Sequence, residues 1–387
     1  MNSEFNTNSN IPKLRFPEFS GEWEKKKIND IVLEKNKKSI TNNQFPILSS
    51  SMGGIYLQSD YFNKQTASQN NIGYKIIERE DFVYRSMSDT GYFTFNLQNL
   101  IDIGIVSPAY PVFKNTKNIK SKYLLYVLNN DSYIKKQILI LKEGGTRFAL
   151  SFSKFAKLKI NLPTLPEQQK IASFLESVDS YVNNLRSQKE SLEKYKKGIM
   201  QKIFAQEIRF KDENGQNFPD WEEKSLGEIS TITTGKLDAN AMKENGQYRF
   251  YTCAKNYFQI DKYAFDTEAL LISGNGANVG YIHYYKGKFN AYQRTYVLDN
   301  FTSNIIYIKY FLETFLSFRI DKQKNEGNTP YIVLSALKDM IIKLPSLPEQ
   351  QKIASFLSSL DDQIELKAQQ IEKAEEWKKG LMQGLFV

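Results

Sequence analysis

The sequence predicts a mixed α/β (α+β) architecture built twice. Two globules of strand and helix are separated by two long antiparallel coiled-coil helices, in an internal pseudo-twofold repeat. Three observations carry that expectation. The eleven residues LPEQQKIASFL stand at 165–175 and again, unchanged, at 347–357. The likeness extends past them, because residues 162–204 lie over 344–386 without a gap and 24 of the 43 aligned pairs are identical. Within each copy apolar residues recur at alternating steps of four and three, whereas outside the copies the chain is rich in aromatics, Asn and short β-prone runs.

Four segments follow in order: a first globule over 1–164, a central helix over 165–206, a second globule over 207–346 and a C-terminal helix over 347–387. The first globule reads as strands at FPILSS (45–50), DFVYRS (81–86) and GIVSPAYPVF (104–113), then as helix at SKYLLYVLNN (121–130). The second repeats that texture with YRFYTCA (248–254), ALLISG (269–274) and YVLDNF (296–301), then IIYIKYFLETFLSFRI (305–320). Weaker landmarks recur in the same order. GEWEKKKINDI (21–31) matches PDWEEKSLGEI (219–229), laying Trp23 on Trp221, and YRSMSDTGY (84–92) lies on SGNGANVGY (273–281). PAY (108–110) meets NAY (290–292), and EGGTRF (143–148) meets EGNTPY (326–331).

Each repeated block reads as a helix with a seam. Pro166 and Pro348 suit a first helical turn, where a missing N–H costs nothing. The first stripe is Ile171, Leu175, Val178, Val182, Leu185, Leu192, Ile199 and Ile203, interrupted by Lys189 and Lys196. The second is Ile353, Leu357, Leu360, Ile364, Ile371, Ala374, Leu381 and Leu385, interrupted by Lys367 and Lys378. Seven-residue spacing sustained over five heptads describes a coiled coil, and the simplest burial of two such seams is against each other. A helix from Pro166 to Phe204 would span roughly 57 Å.

Composition narrows the function. Lys and Arg total 52 against 43 Asp and Glu, a net charge of +9 that suits a polyanionic partner such as double-stranded DNA. The single cysteine, Cys253, excludes an internal disulfide and fits a reducing cytosol. The opening residues lack an apolar leader and no run of eighteen apolar residues occurs, so a cytoplasmic protein without membrane contact is expected. With one histidine, His283, and one cysteine, neither a paired-histidine nor a cysteine-cluster metal site can form. GNGANVG (274–280) spaces its glycines G-x-G-x-x-x-G, which marks a turn rather than a dinucleotide loop. No phosphate-cradling G-x-x-x-x-G-K-[ST] and no Pro-Pro pair of an adenine methyltransferase occurs. The acids of PDWEEK (219–224) are packed too closely for a nuclease metal site. No catalytic residue, metal or bound cofactor is therefore expected on this chain.

Two divergent globules, each followed by LPxLPEQQKIASFL and a heptad helix ending in KKGxMQ, resemble the specificity (S) subunit of a type I restriction–modification system. The resemblance implies two target-recognition domains, each reading one half-site of an asymmetric, bipartite DNA target. It implies docking of two modification (methyltransferase) subunits, which bring S-adenosylmethionine, and of restriction (translocase/endonuclease) subunits with ATP and Mg. It also implies a role in phage defence in the bacterial cytoplasm. Two rivals are a non-enzymatic coiled-coil scaffolding protein with non-specific DNA affinity and a nuclease with an unrecognised site.

Base reading needs side chains with paired donors and acceptors, Arg for guanine and Asn or Gln for adenine. YRSMSDTG offers Arg85, Ser86, Ser88 and Asp89, and EGGTRF offers Arg147. SGNGANVG offers Asn275 and Asn278, and AYQRTY offers Gln293 and Arg294. The Lys-rich runs EKKK (24–27) and EKNKK (34–38) suit solvent or phosphates.

Overall fold

The computed structural model describes residues 10–61, 70–141, 148–321 and 330–387, and both repeated blocks in it are continuous helices, Leu165–Phe204 and Leu347–Leu385. Compactness divides the chain into two units, one running to Leu185 and including Gln370–Val387, the other Arg186–Gln369. Each unit therefore holds one globule, the start of the helix that follows it and the end of the other helix. This grouping cuts across the four consecutive segments read from the sequence.

The first globule is strand-rich early and helical late. Its four-stranded antiparallel sheet runs Val32–Glu34, Val112–Asn115, Phe82–Tyr84, Phe95–Leu97. Phe82 stacks on Phe113 at 5.0 Å, and Tyr84, Phe95 and Phe155 close the aromatic core. The second globule carries a six-stranded sheet in the order Thr231–Thr234, Thr295–Asp299, Phe265–Ser273, Ile282–Ala291, Tyr248–Tyr251, Phe258–Ile260. Within it Tyr248–Tyr251 pairs in parallel with Ile282–Ala291. In both globules an early strand pairs with the last one before the long helix: Glu24–Lys27 with Lys159–Leu162, and Glu222–Ser225 with Ile341–Leu344.

The unchanged letters of the repeat have a side-chain reason. Glu167 and Glu349 are buried, and each receives a two-pronged guanidinium from its own globule. Arg15 donates to Glu167 at 2.8 and 2.9 Å, and Arg209 donates to Glu349 at 3.2 and 2.8 Å. The indole N–H of Trp23 (3.3 Å) or Trp221 (3.2 Å) completes each cluster. The next residue is equally committed. Gln168 accepts from the Lys120 N–H and donates to the Pro163 carbonyl, while Gln350 accepts from Asn304 N–H and donates to Pro345. Lys120 and Asn304 immediately precede the globular helices Ser121–Asn130 and Ile305–Asp321, so each Gln caps a helix start that would otherwise keep an unpaired donor. One EQ pair thus fastens the long helix to its own globule.

The seam is only partly a coiled coil. Within the first unit Val182 and Leu185 pack on Ala374 and Ile371, and Phe174 meets Trp377, so the two helical stretches run antiparallel. Ile171 and Leu175, however, join the core of the globule with Met382, Leu385 and Phe386. Ile353, Leu357 and Leu360 do the same in the second unit with Met200, Ile203 and Phe204. Val178 is buried, whereas Leu192, Ile199, Ile364, Ile371 and Leu381 are only partly covered. The seam residues at each helix start therefore hold a three-way junction of globule and both helices. Two of the lysines read as interruptions are ion pairs across this antiparallel contact: Lys378 with Asp179, and Lys196 with Asp361. Each aspartate also accepts a tyrosine hydroxyl, Tyr126 at 2.7 Å and Tyr310 at 2.6 Å. Among the described residues no helix is long and apolar enough to cross a membrane.

A buried carboxyl gives the first unit a pH signature. Asp131 is 3% exposed and accepts the Tyr133 N–H at 2.7 Å where helix Ser121–Asn130 gives way to Ser132–Leu141. Burial raises its pKa from 3.8 to about 6. A raised folded value means the native state holds the proton more tightly. The contribution is therefore present below the unfolded value and lost as pH rises through the folded one. Asp131→Asn keeps an acceptor for Tyr133 without a charge. Urea unfolding should show it more stable than the parent by about 3 kcal/mol at pH 7.5, with the difference vanishing by pH 3.5.

Candidate nucleic-acid interface

In the first unit the candidate residues gather on one loop. Arg85 and Asp89 are exposed, and Ser86 and Ser88 are half-buried. Ser88 Oγ accepts the Gly91 N–H at 3.0 Å, which folds the loop back on itself. Arg85, Ser88 and Asp89 line a pocket of about 170 Å³ with Ser50, Ser51 and Tyr92. The loop is braced from behind, since Met87–Ser88 pairs with Phe148–Ala149 and Leu150 donates to the Ser86 carbonyl at 2.8 Å. Arg147 lies outside the described residues.

In the second unit three loops converge. Gly274 donates to the Arg294 carbonyl at 2.8 Å, and the half-buried Asn278 donates to the Cys253 carbonyl at 3.0 Å. A Cβ on Gly274 would collide with that Arg294 oxygen, so only glycine permits the approach. Gly276 and Gly280 have φ near +81° and +82°, which makes GNGANVG the turn its spacing suggests. Asn275 bridges to Tyr331, and Ile332 donates to the Gly274 carbonyl. Gln293 and Arg294 are exposed, with the Gln293 amide donating to Asp238 at 2.8 Å. His283 is structural in its contacts. Its Nε2 lies 3.0 Å from the Ala254 carbonyl, its ring packs between Tyr251 and Tyr281, and burial lowers its pKa.

The two loop systems share a hydrogen-bond pattern and differ in what they display. Leu150 donates to Ser86 where Ile332 donates to Gly274, and Met87 faces Ala149 where Asn275 faces Tyr331. This register aligns Ser86 with Gly274 and Leu150 with Ile332. It moves both sequence-derived alignments of these segments by one residue, because backbone pairing and not letter similarity fixes the equivalence.

Sequence reasoning missed one half-buried cationic element. The Arg249 guanidinium lies 4.3 Å from the centre of the Tyr257 ring and 4.4 Å from that of Tyr285, with Tyr251 Oη at 3.4 Å. Its signal was present as the basic–aromatic alternation YRFY (248–251). Of the Lys-rich runs, Lys35 is absorbed by Glu78 and Asp81, both at 2.6 Å, and so serves the fold.

The family described as type I restriction modification DNA specificity domain matches this chain twice, over residues 20–194 and 219–376. The chain belongs to that family. Each match takes in one globule and most of the helix that follows it. Among curated relatives, the type I restriction enzyme EcoDI specificity subunit of Escherichia coli is 41% identical over 170 residues, 43% of this chain and 37% of that protein. This chain therefore aligns with well under two thirds of the EcoDI subunit. The type I restriction enzyme MjaVIII specificity subunit of Methanocaldococcus jannaschii is 26% identical over 96% of this chain and 93% of its own length. The crystal structure of a type I restriction–modification S subunit from M. genitalium superposes with a TM-score of 0.61 at 18% identity, covering 97% of this chain and 99% of that one. That likeness shows a shared fold.

Proposed function

We propose that this specificity-family chain reads an asymmetric, bipartite double-stranded DNA target, one half-site per globule, and carries no catalysis itself. The observation that supports this most is the pair of loop systems braced by one hydrogen-bond pattern. They display Arg85, Ser88 and Asp89 in one unit and Asn275, Asn278, Gln293 and Arg294 in the other. A fixed frame with changed side chains suits two readers of two different sequences. The repeated helices would dock two modification subunits, and restriction subunits would join that core. S-adenosylmethionine, ATP and Mg would then belong to those partners.

The test is to map methylated adenines in cells that express the chain with its modification subunit. The parent chain should give one split, asymmetric motif, and the chain expressed alone should give no methylation. Arg85→Ala should relax one half of the motif and Arg294→Ala the other, each by about 1–3 kcal/mol of discrimination at one base pair. Uniform weakening of both halves by either variant would make these arginines phosphate contacts.

A further inference from the structure

The two globules differ at one helix, and the difference leaves one of them unfinished. In the first, the helix Ser121–Asn130 stops at Asp131, whose backbone is extended, and a second helix, Ser132–Leu141, packs on the strand Lys159–Leu162. Ile134 and Ile138, one turn apart on that second helix, are buried in the core of the globule. Gln137, just before the second of them, grips the strand edge. Its amide donates to the Lys159 carbonyl and accepts the Lys159 N–H, both at 2.8 Å.

The counterpart in the second unit, Ile305–Asp321, runs without a break. Its Leu316 and Ile320 are the side chains nearest a Cβ built on Gly280, so the end of this helix is committed to the turn between Phe265–Ser273 and Ile282–Ala291. The strand equivalent to Lys159–Leu162 is Ile341–Leu344, and the matched registers set Ile341 at the place of Lys159. What a helix covers in the first unit is here a pocket of about 520 Å³, lined by Phe204, Phe311, Phe315, Phe318, Met340 and Ile341. Phe318 is 64% exposed and Ile341 52%, although both belong to this apolar lining. The Nε of Arg319 also lines the pocket, buried and without a hydrogen-bond partner. An unpaired buried donor beside exposed aromatics is costly unless something arrives to cover it.

We propose that this pocket is the seat of one amphipathic helix of another protein. The occupant carries two branched apolar residues one turn apart and a side-chain amide just before the second. The first unit supplies the template, because Ile134, Gln137 and Ile138 fill the equivalent place there. The two apolar residues enter the aromatic pocket, the amide grips the backbone of Ile341, and an acceptor on the same helix completes Arg319. Apolar anchors at this spacing are how a groove recognises a helix. Since the corresponding place in the first unit is already filled, one partner helix binds per chain, and its docking does not depend on base reading.

The probe is a labelled synthetic peptide of residues 131–141, DSYIKKQILIL, the chain's own covering helix. Fluorescence anisotropy with the full chain should show saturable binding of one peptide, and amide exchange at Ile341 should slow when it binds. Phe318→Asp and Ile341→Asp alter exposed side chains, so each should leave the melting temperature unchanged while weakening the peptide by roughly tenfold or more. The peptide with Ile134→Asp and Ile138→Asp should not bind. Absence of saturable binding to the parent chain would overturn the proposal. So would binding undiminished in both variants, which would place the peptide elsewhere. Sedimentation of the parent chain alone should show a monomer; a dimer that Phe318→Asp dissociates would make the occupant a second copy of this chain and refute a foreign helix.

Discussion

Leu185→Asp is expected to cost about 4 kcal/mol of folding stability, the sum of a lost apolar side chain and a carboxylate placed where water does not reach. Leu185 is 5% exposed and packs with Val182 against Ala374 and Ile371, where the two helical stretches of the first unit meet. An aspartate there has no basic partner in that apolar cluster. Ser187 lies two residues on and faces solvent, so Ser187→Asp should shift stability by no more than about 0.5 kcal/mol. Urea unfolding of the three purified chains, followed by circular dichroism, checks both numbers. Equal tolerance at the two positions would mean that this stretch of the seam is not buried between helices.

Arg209→Ala should cost about 3 kcal/mol, and Arg15→Ala a similar amount in the other unit. Among the described residues, either change leaves a buried carboxylate, Glu349 or Glu167, with an indole N–H as its remaining side-chain donor. Breaking a buried pair from one side ordinarily costs about 3–5 kcal/mol. The lower figure applies because the two arginines are themselves partly exposed, at 24% and 14%. Arg209→Met combined with Glu349→Leu removes both charges and should recover much of the loss. If the double change is as damaging as the single one, packing and not the stranded charge explains the effect.

Much of the fold was legible because it rests on periodicity. A heptad maintained over five repeats has few other solutions, and the strand-rich opening of each globule follows from runs such as DFVYRS and ALLISG. What periodicity hides is long-range polar chemistry. Nothing local says that Glu167 waits for Arg15, or Glu349 for Arg209, although both arginines stand in matching LRF and IRF contexts. Lys196 and Lys378 broke the apolar pattern, yet their aspartate partners lie on the other helix, beyond the reach of a one-helix reading. The candidate site was legible as loops but not as geometry. The residues around Asn275 and Arg294 meet because Gly274 lets two backbones touch, and only the pairing register sets the correspondence with Ser86.

The central claim, one globule for one half-site, is tested most directly by the half-chain 1–204. The first unit completes its core with Met382 and Leu385 from the C-terminal helix and Phe386 just after it. The half-chain keeps the equivalent residues Met200, Ile203 and Phe204 at the end of its own helix. Two copies can therefore complete each other as an antiparallel homodimer. The measurement is the methylated-adenine motif in cells that express this half-chain with the modification subunit. An inverted repeat of the first half-site is the predicted result. The unchanged asymmetric motif would contradict the account.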